Sequence, residues 1–311
     1  MSFLTSAPAP VPTTRDYALL LLLGAIWVIA VMLIKVAVAT VPPVTVAAGR
    51  IVVGAIFIAA VLALQRKPLP SDGRIWAKLA LMGTVGTVLP FALISWGETH
   101  IDSGLAAILM SAVPIMTIMM AHFLRSGEKI TAGKIAALVF GGSGVIVLIG
   151  PDALAGIGQD LLGQLAILGA TWCYAVNSLT ARQLTGLSPE TVTLGMLVTA
   201  ALVAIPLSLV LDRPWQIEAS PLSLLAIVTL GVLPTSIGYL IAVRIIASAG
   251  AGFASLNNYL VPLFGVGWGI ALLGEELQPR AALALMLIFI GVTAPRAFPA
   301  LRSLVERRLA P

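Results

Sequence analysis

The sequence predicts an all-α integral membrane protein whose ten transmembrane helices form two inverted five-helix repeats. Three observations predict this fold: the composition, the regular recurrence of apolar runs, and an internal repeat. Of the 311 residues, 59% are apolar and 10% are charged, whereas an average soluble domain has roughly 25% charged residues. So few charges could not cover the surface of a water-soluble fold of this length. The lipid bilayer is therefore the expected surrounding of the chain.

Apolar runs of about 20 residues recur along the whole chain, and a helix of that length crosses about 30 Å of hydrocarbon. Hydrocarbon offers no hydrogen-bond partners, so the spans must be helices or a closed barrel. The continuous run at 17–39 lacks the alternation of barrel strands, and turn-forming residues such as Pro42 and Gly274 fall between the runs. We therefore expect helical spans at residues 17–39, 44–64, 75–95, 103–124, 132–149, 161–184, 188–211, 221–243, 251–273 and 279–298.

The distribution of lysine and arginine predicts the orientation of the spans. With the N-terminus inside, fourteen of the 18 basic residues fall in cytoplasmic segments, two (Arg213 and Arg280) fall in external loops, and two (Lys35 and Arg50) fall within spans. This bias follows the positive-inside rule. We therefore expect both termini to be cytoplasmic, and the protein to lie in the inner membrane of a bacterium.

The two halves of the chain repeat at a nearly constant spacing. Matching pairs are Gly24 and Trp27 with Gly169 and Trp172 (145 residues apart), Pro43 and Gly49 with Pro189 and Gly195 (146), Val113-Pro114 with Val261-Pro262 (148), and Gly144 with Gly291 (147). Five spans per repeat is an odd number, so the second repeat enters the membrane from the opposite side, an architecture found in many transporters. The expected organisation is a tail at 1–16, repeats at 17–149 and 161–298 joined by an external linker at 150–160, and a basic tail at 299–311.

These repeated residues also resemble a known family. Gly-x-x-Trp in spans 1 and 6, Pro then Gly-Arg opening span 2, a mid-span Pro in spans 4 and 9, and Gly-Glu closing those spans resemble the EamA family of the drug/metabolite transporter superfamily. The likeness covers residues 17–293, and within the family it points to bacterial exporters of aromatic amino acids. The resemblance implies ten helices and a central cavity walled largely by spans 3, 4, 8 and 9, from which amino acids or other metabolites are exported.

Four prolines lie near the middle of spans 3, 4, 8 and 9: Pro90, Pro114, Pro234 and Pro262. Each removes a backbone hydrogen bond and frees a carbonyl group, which the membrane tolerates only where protein or water satisfies it. A packing kink is the simple explanation for any one of them. Their placement at similar depth and their pairing between repeats favour a role in lining a cavity.

Polar and aromatic side chains within the spans are the other candidates for that cavity. Asn257, Asn258 and Tyr259 are consecutive in span 9, and a buried amide is costly in lipid, so we expect at least one of the two asparagines to face protein or water. Hydrogen bonding between helices is the alternative explanation. The further candidates are Trp27, Ser95, Ser111, Trp172, Asn177 and Tyr239, of which the two tryptophans are suited either to stacking on a substrate ring or to helix packing.

Lys35 and Arg50 are the basic residues that lie deepest within the spans, and both are expected toward the external end. Snorkelling, or pairing with an external acid such as Glu98 or Asp102, would account for them. Alternatively, one of them attracts a substrate carboxylate, which Arg can bind through two hydrogen bonds.

All 13 acidic residues fall in loops, tails or span ends, so no carboxylate is expected at mid-membrane to exchange protons for a cation. This pattern favours neutral or zwitterionic small-molecule substrates carried by alternating access. A carrier for sugars or nucleotide sugars is the alternative within this class. Motifs typical of an intramembrane enzyme, a charged channel ring or a nucleic-acid-binding face are absent from the sequence. We expect no metal, no cofactor and a monomer.

Overall fold

The structure is a computed structural model that describes residues 11–97, 100–101, 103–123, 130–273 and 279–309, and within these ranges it contains helices and turns but no strand. In chain order the helices are α1 (Thr14–Ala37), α2 (Pro43–Leu64), α3 (Gly73–Gly83), α4 (Leu89–Gly97), α5 (Ser103–Met110), α6 (Val113–Phe123), α7 (Ala132–Ile149), α8 (Leu161–Arg182), α9 (Pro189–Leu211), α10 (Pro221–Leu230), α11 (Gly238–Ala249), α12 (Ala251–Ser255), α13 (Asn257–Leu273) and α14 (Pro279–Leu309).

Two short 3-10 helices lie at Pro151–Gly156 and Pro214–Gln216. Two π-helical segments complete this set: the first π segment (Thr84–Val88) joins α3 to α4, and the second π segment (Gly231–Ile237) joins α10 to α11. The helices then form ten spans, because α5 continues into α6 and α12 into α13. Six stretches are long and apolar enough to cross a membrane: Thr14–Ile34, Pro43–Leu64, Gly73–Ile94, Ala132–Ile149, Pro189–Leu211 and Pro221–Ala249. Shorter apolar helices lie at Ile108–Phe123 and Ala282–Pro295. The predicted all-α membrane fold is thereby confirmed.

Side-chain caps and prolines explain where many of these helices begin. Thr13 and Asp16 form a capping box at the start of α1, and the Ser188 side chain accepts a hydrogen bond from the backbone of Thr191 at the start of α9. Proline is the first residue of α2, α9 and α10, where its missing N–H removes no helical hydrogen bond.

The ends of the chain differ from the expected boundaries. Helix α1 begins at Thr14, inside the predicted tail 1–16, because the capping box satisfies the first turn there. Helix α14 extends to Leu309, through most of the predicted basic tail at 299–311. A span predicted from apolar residues ends where those residues end. The helix itself can continue through charged residues of good helical propensity such as Arg and Glu.

Glycines allow the peripheral helices to pack closely, in pairs related by the repeat. Helix α7 packs on α14, where a Cβ atom at Gly291 would lie 2.6 Å from the Gly141 nitrogen and one at Gly144 would lie 2.6 Å from Ile288. Helix α2 packs on α9, and the glycines of α2 face α10 and the second π segment. Small residues at such contacts are typical of membrane helices, whose association depends on close packing. The paired spans 2 and 7, and 5 and 10, thus flank a central group formed by spans 1, 3, 4, 6, 8 and 9.

We call the end of the helical bundle at which α1 begins the N-terminal end, and the end at which α1 finishes the distal end. The largest apolar core joins the helices toward the N-terminal end and the middle, with fully buried side chains such as Ile58 of α2, Leu79 of α3 and Met196 of α9. It holds the two halves together around the central group of spans.

Candidate functional site

A cavity of about 260 Å³ lies among the central spans and is lined by residues from both repeats. Most of its wall is apolar, for example Leu23 and Ile34 of α1 and Val261 of α13. The polar and ionisable lining residues are Arg50, Tyr174, Asn177, Ser178, Tyr239, Ser255 and Asn258. A mostly apolar concave site with a few converging polar groups is the usual form of a small-molecule binding site.

The two π segments contribute backbone groups next to this cavity. Trp27 of α1 donates from Nε1 to the carbonyl of Pro234 in the second π segment at 3.2 Å. Asn177 of α8 donates from Nδ2 to the carbonyl of Gly86 in the first π segment, also at 3.2 Å. In each case the first span of one repeat binds the irregular span of the other. These bonds satisfy carbonyl groups that lipid could not satisfy, which explains why irregular backbone is tolerated here.

Arg50 is the one charged side chain among the described residues of the cavity wall. It is 8% exposed, its Nε donates to Oγ1 of Thr235 at 2.9 Å, and its guanidinium carbon lies 5.0 Å from the centre of the Phe91 ring. Within the described part of the chain this is the only hydrogen bond of the side chain, so both Nη groups keep their donors. A cation buried in this way favours an anionic partner supplied by a ligand.

Aromatic rings from four helices surround the middle of the cavity. Trp27 and Tyr239 meet edge to face, with ring centres 6.3 Å apart and planes at 72°. Tyr174 of α8 and Phe91 of α4 also line the wall. This arrangement offers both ring faces and ring edges to a flat or apolar ligand group.

The structure brings six of the predicted site residues to the cavity: Trp27, Arg50, Asn177, Pro234, Tyr239 and Asn258. The side chains of Ser95 and Lys35 lie outside the described part of the structure. The remaining seven do not line the described cavity: Pro90, Ser111, Pro114, Trp172, Asn257, Tyr259 and Pro262. Ser111 donates instead to the carbonyl of Ile108 at 2.6 Å.

Trp172 lies away from the cavity, with 51% of its surface exposed on the outer side of α8. The sequence predicts it as a candidate for the cavity wall, and it matches Trp27 in the repeat. Tyr174 takes the cavity position instead, since two residues turn a helix by about 200° and place the two rings on opposite faces. The spacing of Tyr174 from Trp172 could therefore have indicated Tyr174 as a cavity residue, but the match between Trp172 and Trp27 favoured Trp172 instead.

Asn257 and Tyr259 are fully buried in the helix packing, at 0% exposure. A Cβ atom at Gly141 of α7 would overlap the Tyr259 ring, which shows how closely the ring fills the space between spans 5 and 9. Among the residues that the structure describes, neither polar atom of the Asn257 side chain has a hydrogen-bond partner. The turn at Leu256 between α12 and α13 sets the directions in which the side chains of Asn257, Asn258 and Tyr259 point. Of these three residues, Asn258 alone lines the cavity.

Pro90 and Pro234 do not lie at equivalent depths in spans 3 and 8. The two π segments begin 147 residues apart, at Thr84 and Gly231, in agreement with the repeat spacing. Pro234 lies inside the second π segment, but Pro90 is 144 residues from it and follows the first π segment in α4. Three residues of helix amount to about 4.5 Å along the axis. The feature shared by spans 3 and 8 is therefore the π turn, with proline at a different height in each.

Polar contacts close the bundle at its N-terminal end. Glu190, in the first turn of α9, accepts from Nζ of Lys67 at 2.9 Å and from Nη2 of Arg244 at 3.0 Å. Arg182, at the end of α8, donates to the carbonyl groups of Ile246 and Ala247 at 3.0 and 3.1 Å. These contacts tie spans 2, 6, 7 and 8 together beneath the cavity.

Comparison with known proteins agrees with this architecture. The sequence profile described as the EamA-like transporter family matches residues 15–150 and 161–294, which are the two repeats. One solved crystal structure superposes with a TM-score of 0.75 at 21% sequence identity, covering 91% of this chain and 99% of that chain. It shows the same fold.

Relatives of similar length are described as transporters. An uncharacterized transporter of Archaeoglobus fulgidus is 27% identical over 89% of this chain and 97% of its own length. A probable amino-acid metabolite efflux pump of Escherichia coli is 25% identical over 89% and 93%, and a probable terminal-alkyne amino-acid exporter of Streptantibioticus cattleyicolor is 26% identical over 69% and 71%. Together with the match of both repeats, these findings show that the chain is a multi-pass membrane transporter and belongs to the EamA-like transporter family.

Proposed function

We propose that this transporter exports amino acids with aromatic or other neutral side chains, and related small metabolites. The observation that carries the proposal is a mostly apolar cavity between the repeats whose described wall contains one buried cation, Arg50. The Nη donors of Arg50 suit the two oxygens of a carboxylate. The apolar wall and the rings of Trp27, Tyr174 and Tyr239 suit the side chain of such a substrate.

The size of the cavity supports a small substrate. Its volume of about 260 Å³ lies just below the range of roughly 300–1,000 Å³ usual for pockets that bind drug-sized ligands. An amino acid is better matched to this space than a nucleotide sugar. The names of the relatives from Escherichia coli and Streptantibioticus cattleyicolor, which refer to amino acids, favour the same class.

The proposed mechanism is alternating access between the two sides of the membrane. The polar contacts around Glu190 support a state that is closed toward the N-terminal end, which the lysine and arginine bias makes the cytoplasmic end. The Lys67 and Arg244 side chains of these ion pairs are 39% and 46% exposed, so water can replace the pairs when the helices rock apart. Because the two repeats are inverted, an equivalent movement of the other repeat would produce the state that is open toward the N-terminal end.

Counterflow in proteoliposomes tests this proposal. Vesicles containing the purified chain and loaded with unlabelled Phe, Trp, Thr or Met are expected to accumulate the corresponding labelled amino acid transiently, with saturable kinetics and strongest for Phe and Trp. Protein-free vesicles are the control. Flux of a labelled sugar without flux of any amino acid would overturn the proposed substrate class, and flux that does not saturate would indicate a channel.

The position of the Trp27 ring is expected to depend on the absence of a side chain at Gly238. A Cβ atom there would lie 2.6 Å from Nε1 of Trp27, the atom that donates to Pro234, so Gly238→Ala should displace the indole ring. We expect the KM for counterflow of Phe to rise several-fold, with little loss of folded protein. Gly265→Ala is the matched control, because its Cβ would come no closer than 3.9 Å to Val28. Equal kinetics in both variants would contradict a role for Trp27 in the cavity.

A further inference from the structure

The cavity has a marked charge imbalance. Its described wall contains the cation of Arg50 and no carboxylate. Two described acids near the bundle ends have partners of their own: Asp212 accepts from Thr45 near the distal end, and Glu190 is held by two cations at the N-terminal end. Glu98 and Asp102 lie outside the described residues. A ligand within the described wall thus meets one positive charge and otherwise neutral groups.

Because of this imbalance, the cavity wall interacts differently with the carboxylate and with the ammonium group of an amino acid. The carboxylate can be bound by the Nη groups of Arg50, which replaces the water that it loses. The ammonium group also loses water on entry, but it finds no charged partner in the described wall, and burial of an unpaired charge is costly. The net charge of the occupied cavity also favours an anionic ligand, because a ligand of charge −1 leaves the cavity neutral, whereas a zwitterion leaves it at +1.

The neutral polar groups of the wall are suited to an uncharged N–H or a carbonyl group. Asn258 donates from Nδ2 to the carbonyl of Ser255 at 2.9 Å, so its Oδ1 atom is the group left to accept a hydrogen bond from a ligand. An amide N–H can also donate to such an acceptor, and it loses less hydration on entry than an ammonium group does. Ser178 offers a hydroxyl group that can donate or accept.

We propose that the cavity selects monocarboxylates with an apolar body, and that a free ammonium group is not required. N-acylated amino acids and 2-oxo acids are then substrates at least as good as the corresponding amino acids. This inference rests on the proposed function, since it takes the cavity to be the transport site, and it names the substrate class of that site.

Four compounds that share one side chain test the inference: L-phenylalanine, N-acetyl-L-phenylalanine, phenylpyruvate and L-phenylalaninamide. Uptake of each labelled compound is measured in proteoliposomes containing the full chain, and passive entry into protein-free vesicles is subtracted. We expect kcat/KM for N-acetyl-L-phenylalanine and phenylpyruvate to equal or exceed that for L-phenylalanine. The value for the amide should be at least about tenfold lower.

The outcomes separate this inference from the proposed function. Transport of L-phenylalanine without the N-acetyl and 2-oxo compounds would overturn the inference and leave amino-acid export standing. Transport of those two compounds without L-phenylalanine would support the inference and overturn export of amino acids. Transport of the amide as well as L-phenylalanine, or of none of the four, would overturn the inference.

A nearly isosteric substitution provides a second test on the same compounds. Asn258→Asp adds a carboxylate to the cavity wall, which should favour the ammonium group and oppose a net negative ligand. We expect the ratio of L-phenylalanine flux to N-acetyl-L-phenylalanine flux to rise at least about tenfold over the original chain. An unchanged ratio in a folded, reconstituted variant would contradict selection by charge.

Discussion

Replacing Arg50 by glutamine is expected to lower the flux of carboxylated substrates by about ten- to a hundredfold while the protein stays folded. A hydrogen bond to a charged group contributes roughly 1.5–3 kcal/mol, and each 1.36 kcal/mol corresponds to a factor of about ten. Glutamine keeps a polar side chain near Thr235 but loses the charge. Counterflow of L-phenylalanine measures the loss of transport, and thermal unfolding in detergent measures the stability.

Two comparisons distinguish substrate binding by Arg50 from a structural role. Arg50→Lys keeps the charge without the paired Nη donors and should recover part of the flux with a raised KM. Arg74→Gln removes an exposed arginine from the first turn of α3 and should leave transport unchanged. A fall in the unfolding temperature of Arg50→Gln that accounts for the lost flux would instead assign the residue to folding.

Alanine at Gly141 is expected to destabilise the protein, whereas alanine at the neighbouring Gly142 is not. A Cβ atom at Gly141 would overlap the buried ring of Tyr259, and Gly291 of α14 approaches the same backbone. Overpacking of this kind costs about 1–3 kcal/mol. A Cβ atom at Gly142 meets nothing within 4 Å, so it adds only the better helix propensity of alanine, worth up to about 1 kcal/mol.

The two variants share helix α7 and the same chemical change, so the difference between their unfolding temperatures isolates the contact. We expect Gly141→Ala to unfold several degrees below Gly142→Ala in the same detergent. Gly141→Ala combined with Tyr259→Leu should recover part of the loss, because leucine leaves room for the added methyl group. Equal unfolding temperatures of the two single variants would show that spans 5 and 9 do not pack as described.

Much of the fold could be predicted from the sequence because the repeated residues mark backbone contacts. Gly49 and Gly195 are 146 residues apart, and the structure places each against the span that approaches it: Gly49 near Ile227 of α10, and Gly195 against Leu79 of α3. A Cβ atom at either glycine would press on the side chain that faces it. The near-constant spacing thus reflects two copies of the same packing, which is what predicted the inverted repeat.

The cavity could be predicted only in part because repeated sequence does not imply repeated side-chain direction. Trp27 and Trp172 match in the repeat, yet one ring lines the cavity and the other lies on the outer surface. Arg50 was expected near the interface from its distance along α2, but its burial depends on Thr235 and Phe91. These residues lie 185 and 41 positions away in the chain, where no local pattern connects them to Arg50.

The π segments could not be predicted from apolar periodicity. Thr84–Val88 and Gly231–Ile237 have the apolar content of any membrane helix, and a single wide turn leaves no mark in hydropathy. Their positions become clear only from the side chains that bind their carbonyl groups, Asn177 and Trp27. These donors come from the other repeat.

The π segments also affect how this chain is aligned with other sequences. A hydrogen bond from residue i to i+5 encloses one more residue than the bond to i+4 of an α-helix. A homologue with regular helices here is therefore one residue shorter in spans 3 and 8, and its alignment needs a single-residue gap within each membrane span. Without that gap, every position after the first π segment would be assigned a face about 100° away, and the counterpart of Phe91 would be sought among side chains that face lipid.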